Sequence, residues 1–153
     1  MKRWLVPLLL CASPVLADVG YVETLEHSPF PGTYCLGVGI MASAGARAAW
    51  RGTPLEFKTL SRDDYAALVR DQIAANGSAE MPNDAIYMVS DGDTEQEVTA
   101  QRRILAYGWR WMQEHASDAL PILDLEDHRA PDWGQISNLI AKDCGERGVG
   151  WRP

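Results

Sequence analysis

Apolar residues recur at helical spacing in several segments of this chain, and turn-forming residues separate these segments. The longest begins near Glu95 and reaches about Ala116. Thr94 and Glu97 have the spacing of a capping box, which predicts the start of a helix here. Spacings of three, four and seven then predict one apolar face. That face comprises Val98, Leu105, Trp109, Met112 and Ala116, and it is widened by Tyr107 and Trp111. The residues expected to face elsewhere are Gln101, Arg102, Arg103 and Arg110.

A second helix is predicted in the stretch SRDDYAALVRDQIAANG, residues 61–77. Ser61 is a suitable N-cap, and Asp63 and Asp64 suit the positive end of a helix dipole. Asn76 and Gly77 are expected to end the helix. The apolar residues with helical period are Tyr65, Leu68, Val69 and Ile73.

The last predicted helix begins at Asp132, which is followed three positions later by Gln135. Gly145 and Gly148 are expected to end it. Four residues share one side of this helix and predict its buried face: Ile136, Leu139, Ile140 and Cys144.

The stretch YCLGVGIMASAGARAAWRGTPL, residues 34–55, admits three interpretations: a membrane span, a phosphate loop or a helix. Arg47 and Arg51 interrupt it before it reaches spanning length, and its glycines lack the spacing and the lysine of a phosphate loop. Its alanines favour a helix that Gly52 and Pro54 end, although a short strand at 34–40 remains an alternative. Residues 18–33 predict an irregular lead-in in which Thr33 caps the helix. The side expected to be buried comprises Ile40, Met41, Ala44 and Ala48.

Two short segments between the helices are less distinctive. Residues 85–89 form an apolar run that fits a strand or a buried helical turn. Asp91 and Asp93 suggest a calcium loop, but the sixth and twelfth positions of an EF-hand are not matched, so we interpret this segment as the cap of the next helix. Together these patterns predict an all-α fold, a small single-domain bundle of about four helices.

The first 17 residues have the features of a secretory signal peptide. Lys2 and Arg3 precede an apolar core, and Val15 and Ala17 are small residues in front of a cleavage site at Asp18. The core is too short to span a bilayer. We therefore expect a signal peptide at 1–17, one domain at 18–153, export to the periplasm or beyond, and no stable membrane insertion after cleavage.

Cysteine usage agrees with an oxidising compartment. Cleavage removes Cys11 and leaves Cys35 and Cys144, an even pair in an exported chain. We expect them to form a disulfide that ties the first helix to the last, because pairing is the usual state of cysteines in such compartments.

Charge narrows the classes of partner. The chain carries 14 Lys and Arg against 21 Asp and Glu, a net charge of −7, and loss of Lys2 and Arg3 with the signal peptide changes this to −9. Such a surface repels nucleic acid and anionic lipid, and it suits a basic protein partner, a cationic ligand or solubility alone.

A cysteine, a small-residue helix and then WRGTPL resemble the pattern of a group of small, secreted, helical bacterial proteins, and Ile86-Tyr87 matches a later element of that pattern. In size, compartment and helical architecture the chain is also similar to periplasmic immunity proteins that block secreted cell-wall amidases. This resemblance implies a helical fold and action by protein binding.

The residues that could carry chemistry have simpler structural interpretations. His27, His115 and His128 lack the spacing of a metal site, and the sequence predicts no metal, cofactor or catalytic residue. The expected binding surface is the acidic connector with an adjacent tryptophan, which interfaces favour: Asp124, Glu126, Asp127, His128 and Trp133. The alternative is a small periplasmic hydrolase that uses Cys35 or His128.

The signal peptide generates the first prediction. The exported protein should begin at Asp18, because Val15 and Ala17 occupy the small-residue positions of the cleavage site. Intact-mass measurement of protein recovered from the periplasm checks this. A mass that retains residues 1–17 would contradict the predicted export.

Overall fold

The computed structural model describes residues 31–119, 131–148 and 151–153. These residues form helices and one small sheet, which confirms a mostly helical fold. In chain order the elements are α1 (Pro31–Trp50), β1 (Phe57–Leu60), α2 (Arg62–Asn76), β2 (Ile86–Val89), α3 (Glu95–Ala119) and α4 (Trp133–Glu146).

α1 confirms the helical interpretation of residues 34–50, but it begins earlier than predicted. Pro31 starts the helix, so the expected irregular lead-in through Thr33 was wrong over its last three residues. Proline suits a first helical turn, because its missing N–H would have no partner there. At the other end Gly52 has a left-handed φ of 77°, and its N–H donates to the carbonyl of Ala49 at 3.0 Å.

The buried side of α1 differs from the predicted one. Ile40 is 50% exposed and Ala44 is exposed, whereas the buried residues are Tyr34, Val38, Ala42, Ala46 and Ala49. α1 packs against both α3 and α4, while α3 and α4 touch each other little. Small residues therefore face both neighbours, and larger apolar residues are left on the remaining side.

Three glycines allow the helix backbones to approach closely. A Cβ added to Gly45 would lie 1.9 Å from the carbonyl oxygen of Leu105, and one added to Gly108 would lie 1.8 Å from that of Ala42. A Cβ on Gly39 would lie 2.5 Å from the carbonyl oxygen of Ser137. No side chain larger than hydrogen fits at these three positions unless the helices move apart.

α4 agrees with its prediction. The Asp132 carboxylate accepts hydrogen bonds from the backbone N–H groups of Gly134 and Gln135, at 2.9 and 3.2 Å. Ile136, Ile140 and Cys144 are buried, and Leu139 packs against the same core.

The predicted disulfide is present between α1 and α4. Cys35 and Cys144 are bonded, with their Cα atoms 5.6 Å apart. Near the other end of α1 the guanidinium of Arg47 lies over the ring of Trp133, so the two helices run antiparallel.

The cap of α3 is confirmed, but its buried face was mispredicted. The Glu97 carboxylate accepts from the Thr94 N–H at 2.6 Å, and the Thr94 hydroxyl accepts from the Glu97 N–H at 3.3 Å. Of the predicted face only Met112 is buried, together with Tyr107 and Trp111. Val98, Leu105 and Trp109 are half-buried, and of these three Trp109 packs against the core, while Ala116 is exposed.

Gln101, expected to face solvent, is only 7% exposed, and Ile104 joins the core. The reason is the close contact at Gly108, which turns the small-residue side of α3 towards α1. Trp109 instead reaches sideways, where its indole N–H donates to the carbonyl of Thr53 at 2.8 Å.

The part of the chain that connects α1 to α3 contains both strands of a two-stranded parallel sheet. β2 resolves the ambiguity at residues 85–89 in favour of a strand, and β1 was not predicted. The register pairs Phe57 with Ile86 and Lys58 with Tyr87. α2 provides the crossover that parallel strands require.

α2 has the predicted caps but not the predicted burial. The Ser61 hydroxyl accepts from the Asp64 N–H at 3.1 Å, and Gly77 closes the helix in a left-handed conformation. No residue of α2 is buried, and Ile73 is 49% exposed. The apolar residues predicted for this helix are therefore half-buried or exposed rather than buried. The reason is that a two-stranded sheet is too narrow to cover a helix of 15 residues.

Across the ranges that the structure describes, none of the helices combines the length and the apolar character that a bilayer crossing requires.

Replacing the glycines at the helix contacts should destabilise the fold. Gly45→Ala and Gly108→Ala should each lower the free energy of unfolding by about 2 kcal/mol or more, since the new Cβ overlaps a backbone carbonyl and overpacking outweighs the gain in helix propensity. Denaturant unfolding with the disulfide intact measures the change.

Gly145→Ala is the matched control, since nothing lies within 4 Å of its added Cβ. It should leave the protein unchanged or stabilise it by up to about 1 kcal/mol. Equal effects of all three substitutions would contradict the close-approach explanation.

Candidate interaction surface

Most of the binding surface predicted from sequence lies outside the described residues. This applies to the acidic connector residues Asp124, Glu126, Asp127 and His128. Trp133 is described: it begins α4, is half-buried and packs against the core formed with α1 and α3. The guanidinium of Arg47 also lies over this ring, with its carbon 5.0 Å from the ring centroid. Trp133 is therefore a partly covered tryptophan beside a cation, rather than a fully exposed one.

The outward side of α1 carries an exposed apolar pair that the helical periodicity did not predict. Leu36 is 56% exposed and Ile40 is 50% exposed, one helical turn apart. Arg47 lies eleven positions after Leu36, which places it on the same side of the helix. We call Leu36, Ile40, Arg47 and the adjoining Trp133 the α1 outer face.

A signal for this face was present in the sequence. If the small residues Gly39, Ala42 and Ala46 are taken as the contact side of α1, Leu36 and Ile40 point away from the neighbouring helices. Ile40 was predicted to be buried because it is large and apolar. Small residues instead form the contact side, because they allow the helix backbones to approach each other.

A second group of side chains, which is polar, lies on the sheet. The ammonium of Lys58 forms a salt bridge with Asp84 and lies 3.5 Å from the Tyr87 hydroxyl, which itself donates to Asp84 at 2.7 Å. The hydrogen bond from Lys58 lowers the pKa of Asp84, and the bond to Asp84 raises the pKa of Lys58. Lys58 and Asp84 are both about half exposed, with side-chain exposures of 48% and 55%, so this cluster adds little to stability.

A third cluster joins α4 to α3, where the two helices otherwise have few contacts. The hydroxyl of buried Tyr107 donates to the Asp143 carboxylate, which also accepts from the Arg147 Nε at 2.8 Å. The Arg147 guanidinium lies over the rings of both Tyr107 and Trp151, at 5.6 and 5.0 Å. We call Tyr107, Asp143, Arg147 and Trp151 the α3–α4 brace.

The brace perturbs the ionisation of its members. Burial raises the pKa of Tyr107, and the hydrogen bond to Asp143 raises it further. Burial acts to raise the pKa of Asp143 as well, but hydrogen bonds from Arg147 and Tyr107 outweigh it and lower that pKa. The charged carboxylate is thus the form that the folded protein favours.

His115 marks a break in α3 close to this brace. Its backbone leaves helical geometry, with φ −116° and ψ 18°, and its ring stacks on Trp111 with centroids 4.5 Å apart. The Nδ1 atom lies 2.8 Å from the carbonyl oxygen of Trp111. Nδ1 therefore carries the proton, because a carbonyl oxygen can only accept.

The described side chains also bear on catalysis and metal binding. The Cys35 sulfur is bonded to that of Cys144, so it is not available as a thiolate nucleophile. Within residues 31–119, 131–148 and 151–153 no group of three or more histidine, cysteine or carboxylate side chains is arranged to hold a metal ion.

No protein-family model, curated protein or solved structure matches this chain. Its function is therefore inferred from the surfaces described above.

The ionisation of Asp143 in the α3–α4 brace predicts how the free energy of unfolding depends on pH. Asp143 has a lowered pKa in the folded state, so its contribution is fully present above the ordinary carboxyl pKa of about 4 and is lost as the pH falls through the folded value. Asp143→Asn should lower the free energy of unfolding at neutral pH by about 1–2 kcal/mol, since it removes hydrogen bonds to a charged group.

Denaturant unfolding of wild type and variant between neutral pH and about pH 3 tests this sign. The difference between the two proteins should shrink at the acid end. Asp71→Asn on exposed α2 is the control and should have little effect. A difference for Asp143→Asn that is independent of pH would show that the lost contribution is not ionic.

Proposed function

We propose that the exported protein acts in the periplasm by binding another protein, in the manner of an immunity or inhibitor protein. The observation that carries this proposal is the α1 outer face. Of the three large hydrophobic side chains that stand out as exposed in the described structure, Leu36 and Ile40 lie together on one helix. A contiguous exposed apolar group is typical of interaction sites, whereas single exposed apolar residues are ordinary.

Residue chemistry beside this pair supports the same function. Arg47 lies two helical turns beyond Ile40 on the same side of α1, with Trp133 against it. Arginine and tryptophan are among the residue types that most often dominate binding energy at protein interfaces. The acidic connector, with Asp124, Glu126 and Asp127, precedes Trp133 by a few positions in the chain. Its charge and the overall net charge favour a basic partner, because charge complementarity steers association.

The alternative function is a small periplasmic hydrolase that uses Cys35 or His128. The disulfide with Cys144 occupies the Cys35 sulfur, so this alternative depends on His128. A His128→Ala variant separates the two functions, because a hydrolase would lose turnover of peptide or glycan substrates and a binding protein would retain its partner.

Polar substitution of the apolar pair should weaken binding without unfolding the protein. Leu36→Ser/Ile40→Ser should reduce partner capture from a periplasmic extract by about tenfold or more, since buried apolar anchors contribute more than about 1 kcal/mol each. The partner is first identified by cross-linking to the wild-type protein, and its affinity for each variant is then measured.

Ile73→Ser is the matched control, because Ile73 is equally exposed, at 49%, but lies on α2. It should bind as the wild type does. Reversal of Asp124, Glu126 and Asp127 to lysine should slow association and reduce its salt dependence. If the double serine variant captures the partner as well as the control does, the α1 outer face is not the binding surface. Turnover of a substrate that is lost in His128→Ala would overturn the proposal itself.

A further inference from the structure

The outer edge of β1 carries backbone groups without hydrogen bonds from any described residue. Ile86 N–H donates to the carbonyl of Glu56 at 2.7 Å, and Ser90 N–H donates to that of Leu60 at 2.9 Å. Parallel pairing alternates, so Glu56, Lys58 and Leu60 face β2 while Phe57 and Thr59 direct N–H and C=O outward. Such an edge is a template for another strand.

β1 is the more accessible of the two edges. Of the residues with outward backbone groups, Thr59 of β1 is exposed and Phe57 is half-buried, whereas Tyr87 and Val89 of β2 are both half-buried. Arg102 of α3 donates to the Thr59 hydroxyl at 3.0 Å, which places α3 on the sheet face that carries the Thr59 side chain. This contact uses the side chain and not the outward backbone groups.

We propose that β1 pairs with β1 of a second copy of this chain, antiparallel about a two-fold axis, to form a four-stranded sheet in the order β2–β1–β1–β2. A two-fold axis perpendicular to the strands makes the paired strands antiparallel, and each copy then presents the same surface to the other. Sheets in proteins most often have about four to six strands, so the paired sheet of four strands falls in the usual range and a sheet of two strands does not.

The charges around Phe57 select the register. Only Phe57 and Thr59 have outward groups, so the axis passes through Phe57, through Thr59 or between them at Lys58. An axis at Lys58 places two lysines opposite each other, and one at Thr59 places Lys58 opposite Leu60. An axis at Phe57 places Glu56 opposite Lys58 twice, once on each side. Opposite charges across a strand pair stabilise it and like charges destabilise it.

The side chains at this register are suited to the pairing. Glu56 makes no salt bridge with any described residue of its own chain. Lys58 already holds Asp84, but an ammonium has three donors and can hold a second carboxylate. The two Phe57 residues would exchange both of their backbone hydrogen bonds and place their rings side by side.

Sedimentation velocity of the oxidised protein, from about 10 μM to about 1 mM, tests the pairing, since a short interface is expected to be weak. The wild type should shift from monomer to dimer within this range. Phe57→Pro removes one outward N–H and leaves the β1–β2 hydrogen bonds intact, so it should abolish the dimer. Val89→Pro makes the same change on the outer edge of β2 and should not.

Charge exchange tests the register independently of proline. Lys58→Glu and Glu56→Lys each place like charges opposite each other twice, so each should weaken dimerisation by about tenfold. The double variant Glu56→Lys/Lys58→Glu is made in an Asp84→Asn background, because Asp84 would otherwise face the introduced carboxylate. It restores both opposite-charge pairs and should recover the dimer. Circular dichroism confirms folding of each variant. A wild type that stays monomeric throughout, a dimer that survives Phe57→Pro, or a double variant that fails to recover would each overturn the proposal.

Discussion

The close approach of α1 to α3 and α4 is the constraint on which the rest of the fold depends. Gly45 and Gly108 bring two helix backbones into contact at carbonyl oxygens, and Gly39 does the same against α4. Protein interiors are packed to the density of organic crystals, so a contact without side chains at its centre leaves no room for adjustment. α1 becomes the central helix, and α3 and α4 are arranged on it rather than on each other.

The other stabilising features follow from that arrangement. Because α3 and α4 share little surface, the Cys35–Cys144 disulfide holds α4 to α1, and the Tyr107–Asp143–Arg147 contacts hold it to α3. The disulfide closes a loop over a sequence separation of 109 residues, and closure of a loop this long is expected to contribute about 4–5 kcal/mol in the chain-entropy model. The helices are thus joined by a covalent bond and a charged hydrogen-bond network as well as by apolar packing.

The same arrangement decides which surfaces are left for partners. When the small residues of α1 face inward, Leu36 and Ile40 have no neighbour to pack against and remain exposed. The sheet lies against α3 through Thr59 and Arg102, and this leaves the edge of β1 at the surface. The α1 outer face and the β1 edge are therefore separate surfaces on different elements, and binding of a different protein at one is compatible with self-association at the other.

The sequence by itself determined where most helices begin and end. Ser61, Thr94 and Asp132 cap their helices as their side-chain chemistry predicts, because capping is a contact within a few residues. Local periodicity also identified the buried side of α4, and the even cysteine count identified the disulfide. Part of the predicted binding site, Asp124 to His128, lies outside the described residues and stays a prediction.

Only the tertiary structure decided which sides of α1 and α3 are buried. Residue hydrophobicity placed Ile40 inside and Gln101 outside, and both were reversed because glycine contacts, not the largest apolar residues, set how the helices face each other. β1 was missed for a related reason: four residues with two exposed polar side chains become a strand only when β2, 29 positions later, supplies their hydrogen bonds. Caps depend on neighbours in sequence, whereas helix orientation and strand pairing depend on neighbours in space.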